Sequence, residues 1–219
     1  MSPRATYAEV AARPRALGIL AAVLVVIIAA TMIFFSTDTG RQALVDQQVR
    51  SLEGFGRTVT DAQYQRFEQM APYAAWFSAA GQLVFLPLTA LIIAGLAFAV
   101  FNALLGADAK FKQVFAIVAH SGVIVALQQL FTLPLDYQRQ SLTSPTNLGV
   151  FLPMLDEGSF LAHLLGSIDL FVIWWAVSLA IGLGVLYRRR TGPIATTMLL
   201  VYAGIALAIA VAKSMLSGA

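Results

Sequence analysis

Asp169 has the strongest claim on chemistry in this chain. It stands directly before Leu170 to Tyr187, a run of 18 residues without a charge, and that run ends in Arg188-Arg189-Arg190. A carboxylate beside hydrocarbon is costly unless it is paired. It would act as a proton or cation contact, or pin the depth of a helix with help from a hydroxyl such as that of Ser167. His120 is the second candidate, because an imidazole titrates near neutral pH and can relay a proton. Ser121 and Gln128 share a helix face at i, i+7, with His120 about 100° away around the axis and Gln129 nearly opposite it. Side chains of these types also hold helices together by hydrogen bonds. Asp169, His120, Ser121 and Gln128 are therefore candidates for a polar pathway or for helix pairing.

Catalytic patterns are missing. The chain contains no HExxH, GxSxG or P-loop motif and no paired acids inside an apolar run. His120 and His163 fall towards opposite ends of the expected bundle, and Asp156-Glu157 is a lone acidic pair in a proline-containing loop. With no cysteine, disulfides and thiolate chemistry are excluded. No catalytic, cofactor-binding or metal-ligating residue is expected, and the chain does not read as an enzyme.

The elements that must position these residues are membrane helices. Of 219 residues, 59% are hydrophobic and only 11% charged, where soluble domains carry about 25% charge. Mean hydropathy is +0.79. The net charge of +3 comes from short basic clusters beside apolar runs, which suits membrane topology and excludes a nucleic-acid footprint. The lipid bilayer is the first expected partner.

The expected fold is an all-α membrane protein with five transmembrane helices, over about 16–36, 82–105, 113–133, 168–187 and 194–212. Residues 1–15 form a short polar cytoplasmic segment, 16–212 the membrane domain, and 213–219 a short tail. The first apolar run is too long for a signal-peptide core and reads as an uncleaved helix. Between the first two spans, Leu44, Val45, Val49 and Leu52 predict an amphipathic helix over about Arg41 to Glu53. Thr60 with Gln63 predicts a capping box that opens a second helix through Gln69. These helices would lie on the membrane surface, cover the outer mouth of the bundle, or simply connect two spans. Pro134 to Ser159 reads as irregular. The stripe Phe160, Leu161, Leu164, Leu165 and Ile168 predicts a helix that starts near Ser159 and continues into the fourth span.

The basic residues orient these spans. With the N-terminus in the cytoplasm, the cytoplasmic segments hold Arg4, Arg13, Arg15, Lys110, Lys112, Arg188, Arg189 and Arg190. The other side holds six basic residues, four of them in one long loop, where the positive-inside rule weakens. The C-terminus is then outside. Ala176, Ala180 and Gly184 repeat at four-residue intervals and let helix backbones approach closely.

Several of these residues carry a family resemblance: Arg13-Pro14-Arg15, Gly106 followed by Phe111-Lys112-Gln113-Val114-Phe115-Ala116, Asp169-Leu170-Phe171-x-x-Trp174, and the Gly182 to Arg190 exit. Over about Ala12 to Val211 the chain resembles the bacterial branch of the Yip1-domain family, five-span membrane proteins. The resemblance implies residence in the bacterial cytoplasmic (inner) membrane. Eukaryotic relatives are associated with early secretory membranes and Rab-type GTPases. Ala119 to Val125 lacks their Gly-Tyr-x-x-x-Pro type motif, and the N-terminal segment is shorter than theirs, so no Rab-type GTPase is expected as a partner. The expected role is an accessory or scaffold protein that associates with other integral membrane proteins, such as a transport complex. The alternative is a small transporter or lipid-handling channel with a polar pathway near Asp169 and His120.

Overall fold

A computed structural model describes residues 2–54, 56–156 and 158–217. Ten α-helices carry the chain among these residues: α1 (Pro3–Ala12), α2 (Leu17–Ser36), α3 (Asp38–Glu53), α4 (Asp61–Met70), α5 (Ala74–Phe98), α6 (Phe111–Ser121), α7 (Val123–Arg139), α8 (Phe160–Gly166), α9 (Leu170–Leu186) and α10 (Thr191–Ser217). A single antiparallel bridge, Asn147 to Asp169, is the one β-type pairing among them.

Four stretches are long and apolar enough to cross a membrane: Leu17–Ser36, the part of Asp61–Ala103 that holds α5, Phe111–Arg139 and Thr191–Met215. Their exposure makes the case stronger than length does. Only 6% of the most apolar window around α5 and 11% of that in α10 is buried within the protein. Leu83, Phe85, Ile92, Leu96, Leu200 and Ile205 are all more than half exposed. Apolar surface on that scale belongs in lipid. α9 is as apolar but has 17 residues, at the short end of what spans hydrocarbon.

The helices depart from the sequence expectations where tertiary contacts intervene. Residues 1–15 hold a capped helix, α1, whose Ser2 side chain accepts a bond from the Ala5 amide. The helix that holds the second apolar run, α5, begins at Ala74, ahead of the run expected from about 82, and its end unwinds into a π-helix, Ala99–Leu104. The third is two helices meeting at Gly122, and it runs past Leu133 with Pro134 inside. Proline removes one backbone donor there without ending the helix. The expected continuous helix from Ser159 into the fourth span is not formed. α8 stops at Gly166, and α9 begins only after Asp169, because the intervening backbone bonds to a distant loop. The two helices between the first spans are α3 and α4, and Thr60 and Gln63 form the capping box at α4.

The chain divides into two compact units. The first comprises Met1–Ile27, Gly81–Gln128 and Phe171–Val201. Its core gathers Tyr7, Val10, Ala94, Phe101, Val114, Ile117, Leu179 and Leu183. The second comprises Ile28–Ala80, Gln129–Leu170 and Tyr202–Ala219. Phe34, Phe35, Ala43, Ala74 and Ala75 form its core, against Leu44, Leu133 and Leu142. α3 is thus packed along one face. Its entry is a tight corner: Thr37 Oγ1 donates to the Phe34 carbonyl at 2.7 Å and accepts from the Gly40 amide at 3.0 Å. A Cβ on Gly40 would lie 2.1 Å from the Phe34 oxygen, so only glycine fits.

Candidate functional site

Asp169 lies at the centre of a polar clasp in the second unit. It immediately precedes α9, is 9% exposed, and its Oδ2 accepts hydrogen bonds from Ser144 Oγ and Thr146 Oγ1, each at 2.6 Å. Its amide donates to Tyr202 Oη at 2.8 Å, and that hydroxyl donates onward to the Ser167 carbonyl at 3.0 Å. Backbone bonds complete the arrangement, from Leu170 N to Thr146 O and from Leu148 N to Ile168 O. Asn147, buried beside it, donates to the Ser144 carbonyl and accepts from the Val150 amide. Ser167 is not the hydroxyl partner anticipated for Asp169. Its side chain donates instead to the His163 carbonyl.

The other polar candidates lie in the first unit. His120 Nδ1 is 2.7 Å from the Ala116 carbonyl one turn earlier. A carbonyl only accepts, so Nδ1 carries a hydrogen and the imidazole is bound to its own helix. Ser121 is buried, donates to the Val118 carbonyl at 2.8 Å and accepts from Trp175 Nε1 at 3.1 Å. Gln128 is half-buried near the end of the same unit's α7 segment. His120, Ser121 and Gln128 thus belong to one unit and Asp169 to the other.

Further polar ties in the first unit were not singled out from the sequence. Tyr7 Oη and Ser178 Oγ are 2.8 Å apart. Tyr187 Oη donates to Asn102 Oδ1 at 2.8 Å, while Asn102 Nδ2 donates to the Ala109 carbonyl at 2.8 Å. Tyr187 also stacks on Phe101 with ring centres 4.4 Å apart. Gln113 Nε2 donates to the Ala11 carbonyl at 2.9 Å, fixing the end of α1. In the second unit Asp136, also passed over, is 9% exposed beside Thr132, and its Oδ1 has no hydrogen-bond partner among the described residues. The signal available was an acidic residue two positions beyond a proline that ends an apolar run.

The small residues of α9 are buried. Ala176 is 3% and Ala180 0% exposed, and Gly184 is buried against Thr191 and the Arg189 carbonyl. The closest approach is made by Gly182, where a Cβ would fall 2.5 Å from Ile117 Cγ2 and 2.9 Å from the Tyr7 ring. Arg188 follows α9 with φ 51°. With Arg189 N bonded to Gly184 O and Arg188 N to Val185 O, this is a Schellman motif. Arg188, Arg189 and Arg190 are exposed. No group of three or more His, Asp or Glu side chains is placed to hold a metal among the described residues. The acidic pair Asp156-Glu157 is only partly visible, since Glu157 lies outside them.

Apolar helices that meet lipid, tied by buried side-chain hydrogen bonds, define a helical membrane protein. A family model of the Yip1 domain matches residues 1–212, and the chain belongs to that family. No curated protein and no solved structure matches it.

Proposed function

We propose that this protein is an accessory or scaffold subunit of the bacterial cytoplasmic membrane that associates with other integral membrane proteins, such as a transport complex. In this reading α9 is a fifth span, the N-terminus is cytoplasmic and the C-terminus is outside. Eight basic residues in three short segments support that orientation. The observation that carries the role is how the polar side chains are used. Tyr7 with Ser178, Trp175 with Ser121 and Tyr187 with Asn102 each join separate helices. They hold a scaffold together, and a wide apolar face on α5 is left for lipid or for another protein. Membership of the Yip1 family fits a membrane role outside catalysis.

A transporter or lipid channel with Asp169 and His120 on its pathway has less support. The Asp169 carboxylate is engaged by the hydroxyls of Ser144 and Thr146, and His120 donates to its own helix. The test is photo-crosslinking in native membranes from positions on the exposed face of α5, such as Leu83 and Ile92. The scaffold reading expects a discrete protein adduct from that face and none from Leu200. Crosslinks to lipid alone from every α5 position would remove it.

A further inference from the structure

A recess of about 520 Å³ lies where α9 hands over to α10, entirely within the first unit. Four arginines line it: Arg4 from α1 and Arg188, Arg189 and Arg190 from the turn, with Thr191 and Gly192 beside them. All four are exposed, and none is paired with a carboxylate among the described residues, where the one ion pair is Arg41 with Asp38. Three arginines at the end of a span need no more explanation than topology. The fourth does.

Arg4 is 184 residues from Arg188 in sequence and is brought to the recess by α1, which is firmly held. Tyr7 and Val10 are buried, Tyr7 bonds Ser178, its ring lies against Gly182, and the Ala11 carbonyl is bound by Gln113. Bringing like charges together is unfavourable unless an anion sits among them. Arg188 points the same way, because it holds a left-handed backbone position that suits glycine at a helix end, yet the chain keeps a guanidinium there. Guanidinium groups match phosphate oxygens in geometry as well as charge.

We propose that this recess binds the phosphate headgroup of an anionic phospholipid. Thr191 opens α10, whose Thr191–Met215 stretch is one of the four able to cross a membrane. The recess is therefore at the start of a span, at headgroup level, and Val185 gives it an apolar wall. Basic pockets in that position hold anionic lipid headgroups in membrane proteins generally. This site depends on α10 crossing the membrane and not on the scaffold reading, so either can fail alone.

The full chain, purified in mild detergent and given equal amounts of phosphatidylglycerol and phosphatidylcholine, is examined by native mass spectrometry for retained lipid. The parent protein should retain phosphatidylglycerol selectively. Arg4→Gln should weaken that retention about fivefold, and R188Q/R189Q/R190Q more. Arg13→Gln, the same charge change at the other end of α1, should leave it unchanged. Where Arg4→Gln melts below the parent, Arg190→Gln is read in its place. Retention in Arg4→Gln equal to the parent, or an equal loss in Arg13→Gln, overturns the site and leaves only a topology signal. Displacement of the lipid by a modest excess of inorganic phosphate overturns the assignment to a lipid.

Discussion

The hydroxyls of Tyr7 and Ser178, 2.8 Å apart, join α1 to α9 across 171 residues of sequence. The bond sits beside Gly182, whose missing side chain leaves room for the Tyr7 ring. α1 is therefore part of the folded core of its unit, although Arg4, Arg13 and Arg15 give residues 1–15 the look of a solvated lead.

Replacing Tyr7 by Phe keeps the ring and strands the Ser178 hydroxyl. The expected cost is about 1–2 kcal/mol, read as a lower melting temperature in detergent. Burial pushes the Tyr7 phenol above its ordinary value of 10.0, and the Ser178 bond only partly offsets it. The phenol ionises first in the unfolded chain, so its contribution is complete below pH about 10 and is lost as pH rises through the folded pKa. The gap between parent and Tyr7→Phe should therefore narrow above pH 10. A gap that is constant with pH would show that the phenol is not buried.

Gly182→Ala should destabilise by about 1–3 kcal/mol, because its Cβ meets Ile117 and Tyr7 well inside contact distance. Gly204 is the control, with nothing within 4 Å of an added Cβ. There the same change should stabilise the helix by roughly 0.5–1 kcal/mol. Thermal unfolding of the two variants should move in opposite directions, and equal shifts would remove the close approach.

Asp169→Ala leaves the Ser144 and Thr146 hydroxyls without their shared acceptor. A loss of about 1–3 kcal/mol is expected, with hydrogen exchange rising first at Ser144 to Leu148. Asp169→Asn keeps an acceptor oxygen and should fall between the parent and Asp169→Ala. Unchanged exchange in that segment would mean that Asp169 does not hold the loop.

Span number can be settled by parity. Five crossings place the termini on opposite sides, and four place them together. An alkaline phosphatase fusion after Ser214 should be active and one after Arg190 inactive. Activity after Arg190 with inactivity after Ser214 would leave α9 out of the membrane.

The long apolar helices were legible because their signal is local, and four of the charge-free runs are long enough for a bilayer. The capping box at Thr60 and Gln63 was legible for the same reason, since the residues that make it are three apart. What escaped depends on partners far along the chain. The apolar stripe from Phe160 to Ile168 favours a continuous helix, but Leu148 and Thr146 take the Ile168 carbonyl and the Leu170 amide for their own backbone bonds. Tyr7, Asn102 and Trp175 carry no periodic mark of the residues they bind. Asp169 was identified as a residue that needs a partner. Ser144 and Thr146 could not be named as those partners, because nothing local brings positions 23 and 25 residues earlier beside it.

The reach of the Tyr7–Ser178 bond also sets an order of events during synthesis. When α1 leaves the ribosome, neither Ser178 nor the gap at Gly182 yet exists, and α2 enters the membrane without its neighbour being seated. Only the Tyr7–Ser178 bond and the seat at Gly182 have to wait for α9; the Gln113 bond to the Ala11 carbonyl can form as soon as α6 is made. A chain truncated before Ser178 would leave the Tyr7 hydroxyl without its partner and the Tyr7 ring without its seat at Gly182.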